Sequence, residues 1–532
     1  MSLKATLSVL FILILGLALH ALTVRGLPGN MGDVTKLGGL SREASPFESS
    51  HERAPYAEML SIMQNRTIQL SKPLADFGSP DIGVNTKKEY FSFFPSGISA
   101  SIIPGYLVGS RFDIGQVGAY YTMGIFTTLA MIFIFLIAKD IFKVPLWAAL
   151  IAPITYAFGT SAWSYSVTIY QHAPATFFAM LMFYSVWRYK QKTRKQYVWA
   201  GIVWSTYGIS LFFDYPNALL LLPFMVYFLI VSLSVTSVKR KKRVIRISLN
   251  SVILRMFPLF ILLVVWHGWH NQHFLGNYKQ IGNNLQRYTI KSPEQIRLEK
   301  LDVKKQQEDA DKKKRELAEK AAGGITKALS EDKVPLNAQI LLTGVDKGLF
   351  LFSPVLIMAF LGIMTLRRRE VMEKSILFAF IIANIFIYSS FGDPYGGWAF
   401  GPRYLVPAMA GMSIFVAIGI STGRLQIVRK IVFTLLFMVS SAIAIAGALT
   451  TNLIPPKVEA DFLKVPYYNF MHNFDLLKQN VATSYVFNMF LSRSLSLLDF
   501  AEIIWMTLST IIILTVFIMP LFVREEGAKN TK

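Results

Sequence analysis

The sequence contains no cysteine among its 532 residues. Disulfides, thiolate chemistry and cysteine-based zinc sites are therefore excluded. The chain also lacks the phosphate loop of ATP-hydrolysing proteins, the G-x-G-x-x-G turn of dinucleotide-binding proteins and the H-E-x-x-H helix of zinc proteases. We therefore do not expect this chain to draw energy from ATP by itself.

Charged residues are also scarce, at 16% of the chain, whereas a soluble protein has about 25%. Hydrophobic residues make up 53% and gather in runs of roughly 14 to 23, near the length that crosses about 30 Å of hydrocarbon as a helix. The sequence predicts an all-α polytopic membrane protein with about twelve transmembrane helices. These lie near Ala5–Leu22, Val117–Ala138, Val144–Phe158, Pro174–Trp187, Tyr197–Phe213, Asn217–Val235, Val252–Trp266, Gly348–Leu366, Ser375–Ser390, Leu405–Ser421, Ile431–Thr451 and Ala501–Val523.

Two apolar segments have alternative interpretations. Ala5–Leu22 follows Lys4 like a signal peptide, but its length and the lack of a clear cleavage site favour a retained first helix. Ile98–Leu107 is short and contains Pro104-Gly105, so we interpret it as a broken interfacial or re-entrant segment.

Lys and Arg gather in alternate loops, for example at Lys239–Arg243 and Arg367–Arg369, and these loops are predicted to be cytoplasmic. Nucleic-acid binding is the rival explanation of the net charge of +22. Because the basic residues stand at span ends, membrane topology explains them better, and no nucleic-acid partner is expected.

The long loops then face outward, and they include the first outer loop (23–116) and a charged insertion (267–347). Within the insertion, Lys291–Lys333 is predicted to be a charged helix, either a solvated surface helix or a partner-binding or acceptor-binding one. We divide the chain into a main transmembrane region (1–451) and a carboxyl-terminal part (452–532) that holds an outer loop, the last helix and a cytoplasmic tail.

Polar residues gather near helix ends on the predicted outer face, where ionisable groups are functional candidates. A carboxylate, an imidazole and a guanidinium on one face suit general-base chemistry beside an anionic, phosphate-bearing ligand. His172 could instead cap its helix or lie in the interfacial belt, and Asp214 could be a helix N-cap. The candidates are Glu52, Glu58, His172, Asp214, Asp393, Arg403 and Tyr404.

Four segments together resemble the polytopic GT-C glycosyltransferases, in the group of protein O-mannosyltransferases, the lipid A aminoarabinose transferase and related prokaryotic family 39-like enzymes. One contains an acidic residue before a Tyr-Ala-Glu run, one an aromatic-Pro-x-Gly sequence, one a recurring helix start, and one a Gly-Trp-x-x-Gly-Pro-Arg-Tyr motif. They are Glu52–Met59, Phe91–Tyr106, Gly348–Leu356 and Gly396–Pro407.

The resemblance implies a GT-C helical bundle that moves a sugar from a polyprenyl-phosphate carrier to an extracytoplasmic glycan, lipid or protein acceptor, with inversion. It also implies a prokaryotic plasma membrane, with membrane lipids around the spans and the isoprenoid tail in an apolar groove. Glu52 falls where the family has its first-loop acidic residue and would be the general base.

The resemblance also suggests roles for the other candidates. Arg403, with His172 second, would contact the donor phosphate. Sugar or cation contacts would come from Asp214, Asp393, Glu58 and Tyr404. A divalent cation such as Mg²⁺ or Mn²⁺ is possible, although no spacing requires one.

Other functional classes fit the sequence less well. A transporter or lipid flippase would place charges near the bilayer midplane on broken helices of repeated halves, whereas the predicted spans are apolar at mid-length and no repeat is apparent. A polytopic acyltransferase with His172 as its base, or a non-catalytic assembly subunit, remains compatible with the residues.

Overall fold

The computed structural model describes residues 3–30, 47–239, 243–289, 333–365, 370–391, 393–422, 425–457, 460–461 and 469–522. Most of Lys291–Lys333, predicted to be a charged helix, lies outside these ranges. The helices of the first half are α1 (Leu3–Thr23), α2 (Ser50–Asn65), α3 (Lys72–Gly78), α4 (Gly97–Ser110), α5 (Gly115–Leu136, continued by a π-helix at Ile137–Ile141), α6 (Leu146–Phe158), α7 (Ala162–Ser166), α8 (His172–Lys190), α9 (Gln196–Ser210), α10 (Asn217–Leu220), α11 (Leu222–Ser232) and α12 (Ser251–Leu275).

The second half is also helical. Its helices are α13 (Val334–Thr343), α14 (Leu349–Phe352, followed by a 3-10 helix at Pro354–Met358), α15 (Ala359–Ile363), α16 (Val371–Ser389), α17 (Val406–Ser421, preceded by a 3-10 turn at Arg403–Leu405), α18 (Gln426–Leu449), α19 (Phe470–Lys478), a π-helix at Phe487–Leu491, α20 (Leu497–Ile513, continued by a π-helix at Leu514–Ile518) and α21 (Met519–Phe522).

Each of the twelve predicted spans lies largely on helical structure. The Gly348–Leu366 segment is interrupted at Ser353, and Asn217–Val235 is interrupted at Leu221 and ends in a β-strand from Leu233. This agreement confirms the helical class. The count of twelve crossings stays a prediction. By length and composition, the helices in the described ranges that could cross a membrane number seven: Leu3–Thr23, Gly115–Ile141, Ser251–Leu275, Val371–Ser389, Arg403–Ser421, Gln426–Leu449 and Leu497–Phe522.

The prediction that Ile98–Leu107 is broken at Pro104-Gly105 is wrong, because α4 runs without interruption from Gly97 to Ser110. The glycine serves close helix packing: a Cβ at Gly105 would lie 2.2 Å from the carbonyl oxygen of Gly118 on α5. Small residues allow membrane helices to approach this closely.

The first outer loop is folded and contains α2, α3 and α4, although the sequence predicted a long polar loop. It also contributes two strands of a small antiparallel sheet with the order β2-β1-β5, in which Ile82 pairs with both Ser92 and Tyr288. The strands are β1 (Ile82–Val84), β2 (Tyr90–Ser92) and, from the charged insertion, β5 (Gln286–Tyr288).

A second antiparallel pair occupies one of the predicted cytoplasmic loops. β3 (Leu233–Lys239) pairs with β4 (Arg243–Leu249) in direct continuation of α11. The sequence analysis predicted no strand there.

The core of the bundle is centred on α17, every residue of which is buried. It packs against α6, α8, α15 and α16. The turn that precedes α17 is therefore held at one end of the most buried helix. By contrast, only 11% of the most apolar stretch of α12 is buried, so this helix presents its side chains outward on the flank of α9.

Candidate functional site

Glu52 lies in the first turn of α2 and is fully buried. The backbone N–H of Ser49, the N-cap residue, donates to Glu52 Oε2 at 3.1 Å, which is one half of a capping box. Glu52 Oε1 has no hydrogen-bond partner among the described residues. Helix capping thus fixes one carboxylate oxygen and leaves the other for a ligand.

Burial raises the pKa of the Glu52 carboxyl to about 7. The positive charge of Arg25 opposes this effect, whereas the negative charge of Glu48 adds to it. A carboxyl group with a pKa near the working pH is suited to general-base catalysis, because much of it is ionised and the ion still accepts a proton readily.

Arg25 is a fully buried cation near Glu52. Its Nη1 donates to Glu48 Oε2 at 2.5 Å, and its Nη2 donates to the carbonyl oxygen of Thr450 at 2.8 Å. The N–H of Asn452 donates to the same Glu48 oxygen at 3.0 Å. These contacts tie the end of α1, the segment before α2 and the segment after α18 to one another.

Tyr170 joins the first outer loop to the turn before α17. Its hydroxyl is hydrogen-bonded to Ser49 Oγ at 2.9 Å, and its ring stacks on His51 at 5.1 Å between centroids. The guanidinium carbon of Arg403 lies 5.4 Å from the centroid of the same ring. The first loop therefore folds back over the turn before α17, and Tyr170 contacts both the start of α2 and Arg403.

Arg403 is 8% exposed, and its Nε has no hydrogen-bond partner in the described ranges. Its guanidinium also lies 5.2 Å from the ring centroid of Tyr404. Gly396 adopts a φ of +67°, and a Cβ there would come within 2.8 Å of Arg403 Nε. The glycine thus makes space for the guanidinium in the Gly-Trp-x-x-Gly-Pro-Arg-Tyr turn.

Asp393 is the first residue of this turn. It is exposed, and its carboxylate is hydrogen-bonded to backbone N–H groups of the same turn. It accepts hydrogen bonds from the N–H groups of Tyr395 at 2.9 Å and Gly397 at 2.8 Å. The structure therefore does not bring Asp393 into the Tyr170 cluster, and a sugar or cation contact by Asp393 stays a prediction.

His172 and Tyr404 lie in the same aromatic cluster as Tyr170. The ring of His172 is 6.0 Å from the ring of Tyr170 and 6.1 Å from that of Tyr404. His172 is 1% exposed, and its Nε2 has no partner among the described residues. This imidazole nitrogen is therefore available for a ligand on the Arg403 side.

Asp214 joins the cluster through a second tyrosine. Tyr388 stacks on Tyr404 with centroids 4.5 Å apart and donates a hydrogen bond to Asp214 Oδ2 at 3.4 Å. Burial raises the pKa of the Asp214 carboxyl to about 7, although the Tyr388 hydrogen bond and the charge of Arg403 oppose this effect.

Glu58, the remaining carboxylate candidate, lies apart from this group. Six residues separate Glu58 from Glu52, which in an α-helix places the two side chains on different faces. Glu58 Oε2 accepts a hydrogen bond from Ser99 Oγ at 3.0 Å, and Glu58 is 1% exposed. Burial raises the pKa of its carboxyl to about 7, against the hydrogen bonds of Ser96 and Ser99.

Comparison with known proteins supports the motif-based resemblance. Residues 108–266 match the family model for dolichyl-phosphate-mannose-protein mannosyltransferase. The match covers less than a third of the 532 residues, so it shows that this segment is similar to that mannosyltransferase family. The match includes Tyr170, His172 and Asp214. The apolar helices described above make this chain an integral, multi-pass membrane protein.

The solved structures that resemble this chain share little sequence with it. ArnT from Cupriavidus metallidurans bound to undecaprenyl phosphate is 10% identical, with a TM-score of 0.46, and the match covers 97% of this chain and 77% of ArnT. The oligosaccharyltransferase AglB from Archaeoglobus fulgidus, in complex with an inhibitory peptide and a dolichol-phosphate, is 10% identical with a TM-score of 0.42. That match covers 86% of this chain, which spans 57% of AglB. A search of curated proteins finds no match.

Several residues of the candidate site were missed by the sequence analysis. Arg25 and Glu48 lie in the first outer loop with no motif around them, and their partners are more than 400 residues away at Thr450 and Asn452. Tyr170 stands two residues before His172, so the Tyr-Gln-His run was the one available signal.

His51 and Asp81 form a further pair beside Tyr170 that the sequence analysis missed. His51 Nδ1 lies 3.4 Å from Asp81 Oδ2, which also accepts a hydrogen bond from Ser50 Oγ at 2.7 Å. Burial acts to raise the pKa of Asp81, but the hydrogen bond and charge of His51 outweigh it and hold the pKa at about 2. The pair anchors the start of α2 beside the cluster.

Lys347 supports the turn before α17 from the other side. It is fully buried, and its ammonium donates to the backbone carbonyl oxygens of Ala399 and Ile454. This contact joins the turn to the segment after α18.

Metal binding receives no direct support from the geometry. In the described part of the chain, no group of three or more His, Asp or Glu side chains could hold an ion. Asp214 contacts Tyr388, whereas Asp393 caps its own turn. A divalent cation therefore stays a prediction.

Proposed function

We propose that this protein is a membrane glycosyltransferase that moves a sugar from a polyprenyl-phosphate donor to a hydroxyl group of an extracytoplasmic glycan, lipid or protein acceptor. The observation that carries the proposal is that Tyr170 joins the start of α2, which carries Glu52, to Arg403. A base and a phosphate-binding cation are the two groups that such a transfer needs at the reacting carbon.

In the proposed reaction, Glu52 Oε1 takes the proton of the acceptor hydroxyl as its oxygen attacks the anomeric carbon. The bond between that carbon and the phosphate oxygen breaks, and its electron pair leaves with the polyprenyl phosphate. Arg403 stabilises the negative charge that builds on the phosphate, with His172 as a second contact. A single displacement of this kind inverts the anomeric configuration.

The orientation rests on charge distribution. Lys and Arg cluster in the alternate set of loops, so the loops that hold Glu52 and Arg403 are assigned to the extracytoplasmic face. The bilayer around the spans would bring the lipid-linked donor to this face.

The test is sugar transfer by the purified full chain in lipid nanodiscs, with a panel of labelled polyprenyl-phosphate sugars as donors and Glu52→Gln as the variant. The donor panel is chosen from the lipid-linked sugar that accumulates in cells lacking the protein. Loss of a general base lowers rates by about 100- to 10,000-fold, and we expect a kcat decrease of that size. Full activity of Glu52→Gln would overturn this mechanism.

Glu373→Gln is the matched control. Glu373 is also a buried carboxylate, but it binds Lys190 at 2.6 Å and Tyr227 at 2.7 Å at the predicted cytoplasmic end of α16. Removal of this charge is expected to lower thermal stability and leave kcat per folded molecule within about threefold. Equal loss of kcat in both variants would indicate a stability effect alone.

A further inference from the structure

A narrow cleft lies on the face of α2 that carries Glu58. It is lined by α2, by the segment between β2 and α4, and by the outer end of α12. Its enclosed part has room for a group of about the size of one water molecule, and such a space is filled only where polar partners are present. We call this space the Glu58 cleft.

Two polar atoms in the lining lack partners. Glu58 Oε1 has no hydrogen-bond partner in the described ranges, while its Oε2 is held by Ser99. His267 Nδ1 is likewise unpartnered there, and its Nε2 lies 3.4 Å from Asn271 Nδ2. A buried polar atom without a partner costs free energy, so a hydrogen-bonding ligand group would stabilise this site.

The rest of the lining defines the class of ligand. None of the described residues that line the cleft is Lys or Arg, whereas Phe94, Phe212 and Tyr215 supply aromatic surface. An acidic carboxyl without a nearby cation does not favour phosphate. A few fixed polar groups among aromatic side chains are typical of sites for neutral organic ligands.

The cleft is adjacent to the proposed catalytic cluster along the chain and in space. Tyr215 lines the cleft, where its ring lies 5.5 Å from that of His267, and it directly follows Asp214 in the chain. Asp214 in turn contacts Tyr388, which stacks on Tyr404 beside Arg403. A ligand at the mouth of the cleft would therefore lie near the reacting groups.

The position of the cleft is fixed by a close backbone contact. The N–H of Gly97 donates to the carbonyl oxygen of Phe212 at 2.7 Å, and a Cβ at Gly97 would lie 2.3 Å from that oxygen. Glycine at the start of α4 thus lets the segment before α10 approach the cleft.

We propose that the Glu58 cleft is a sugar-binding subsite, which receives one ring hydroxyl between Glu58 and His267 while the ring lies across the aromatic mouth. The proposal rests on the proposed glycosyltransferase function. The sugar could be that of the donor or that of a glycan acceptor, since both present the same hydroxyl groups.

The first experiment measures equilibrium binding, which requires no turnover. The full chain in nanodiscs is titrated with the methyl glycosides of mannose, glucose and galactose by saturation-transfer NMR, and separately with undecaprenyl phosphate. We expect at least one glycoside to bind saturably and to bind about 10-fold more weakly to Glu58→Gln, the scale of one hydrogen bond to a charged group. Binding of undecaprenyl phosphate is expected to stay within about twofold.

Arg403→Met and Ser99→Ala are the matched controls. Arg403→Met should show the opposite pattern, with weaker undecaprenyl phosphate binding and unchanged glycoside binding. Ser99 is not part of the cleft lining and contacts the Glu58 oxygen that already has a partner, so Ser99→Ala should change glycoside affinity by less than about threefold. His267→Asn provides a second cleft variant with an expected loss like that of Glu58→Gln, in case Glu58→Gln unfolds.

Competition then identifies the source of the sugar. Displacement of the glycoside by mannosyl-phosphoundecaprenol, but not by undecaprenyl phosphate, assigns the cleft to the donor sugar. Displacement by neither lipid assigns it to an acceptor glycan. Absence of saturable binding of all three glycosides, or equal binding by the wild type and both cleft variants, means that the cleft holds only water and overturns the proposal.

The two proposals fail separately. Loss of transfer in Glu52→Gln with no effect of Glu58→Gln on glycoside binding leaves the glycosyltransferase function intact and removes the cleft from it. Glu58-dependent glycoside binding together with full transfer activity in Glu52→Gln would support the cleft as a sugar-binding site and would overturn the mechanism proposed for Glu52.

Discussion

The helix α2 carries two buried glutamates in very different surroundings. Burial raises the pKa of both Glu52 and Glu58 to about 7, and each has one oxygen held by hydrogen bonds and one without a partner in the described part of the chain. Glu52 lies near the cations Arg25 and Arg53, and Tyr170 links the start of its helix to Arg403, whereas no Lys or Arg appears in the described lining beside Glu58.

This contrast separates two kinds of recognition on one short helix. Cations beside an acidic base suit a reaction in which negative charge builds on a phosphate. A lone acid among aromatic rings suits hydroxyl groups that carry no charge. The cations, more than the carboxylates themselves, therefore distinguish the two sides of α2.

The largest expected effect in this comparison is the pH dependence of sugar transfer. Only ionised Glu52 accepts a proton, so kcat should rise as pH increases through its pKa of about 7, by roughly 50-fold between pH 5 and pH 7. Initial rates with saturating donor and acceptor measure it. The same dependence of kcat on pH should be found in Glu58→Gln. A kcat that does not change from pH 5 to 8 would contradict the role of Glu52 as general base.

A smaller effect, on donor KM, is expected when Arg403 is replaced by lysine. Lysine keeps the charge but loses the planar stacking on Tyr170 and Tyr404, so donor KM should rise by about 10-fold, the scale of a buried cation–π contact. The measurement is donor KM at fixed acceptor concentration.

Arg287→Lys is the control for the loss of stacking. Arg287 lies 5.3 Å from the ring of Phe93 but has a 60% exposed side chain. The Arg287→Lys substitution should therefore leave donor KM unchanged. Equal KM values for Arg403→Lys and the wild type would remove the phosphate role from Arg403.

Much of the fold could be predicted from the sequence, because long apolar runs have few alternatives to helices in a membrane. The predicted segments from Ala5–Leu22 to Ala501–Val523 coincide with helical structure for this reason. The helix α2 was missed, since it is only half apolar and its stability depends on the Ser49 cap and on contacts with distant segments.

The candidate site residues could be proposed one by one from the sequence, but their arrangement could not. Glu52, His172, Asp214 and Arg403 were identified by motif and by position on one face, and the structure groups them around Tyr170, Tyr388 and Tyr404. Their sequence separations carry no information about distance, so neither this grouping nor the separate place of Glu58 could be read from the chain. Arg25 was missed because a single Arg after a span resembles an ordinary topology charge.

The next smaller effect concerns Arg25, which we expect to act on Glu52 through charge. Arg25→Met removes the cation that lowers the pKa of Glu52, so the rise of kcat should move to higher pH. The loss should be several-fold, on the order of one pKa unit, at pH 7 and should diminish at pH 9. Arg25→Lys should restore much of the wild-type profile. A uniform loss at all pH values would indicate a purely structural role.

The smallest effect is expected at Asp393, which was predicted as a sugar or cation contact. Its carboxylate already accepts hydrogen bonds from the N–H groups of Tyr395 and Gly397, and an asparagine side chain can retain one of them. Asp393→Asn should therefore change kcat/KM by less than about threefold, within the range of ordinary surface substitutions. The comparison is made with and without EDTA, and with Mg²⁺ or Mn²⁺ restored. If Asp393→Asn abolishes a metal-dependent activity that the wild type shows, Asp393 binds the cation, and the site extends to the far end of the Gly-rich turn.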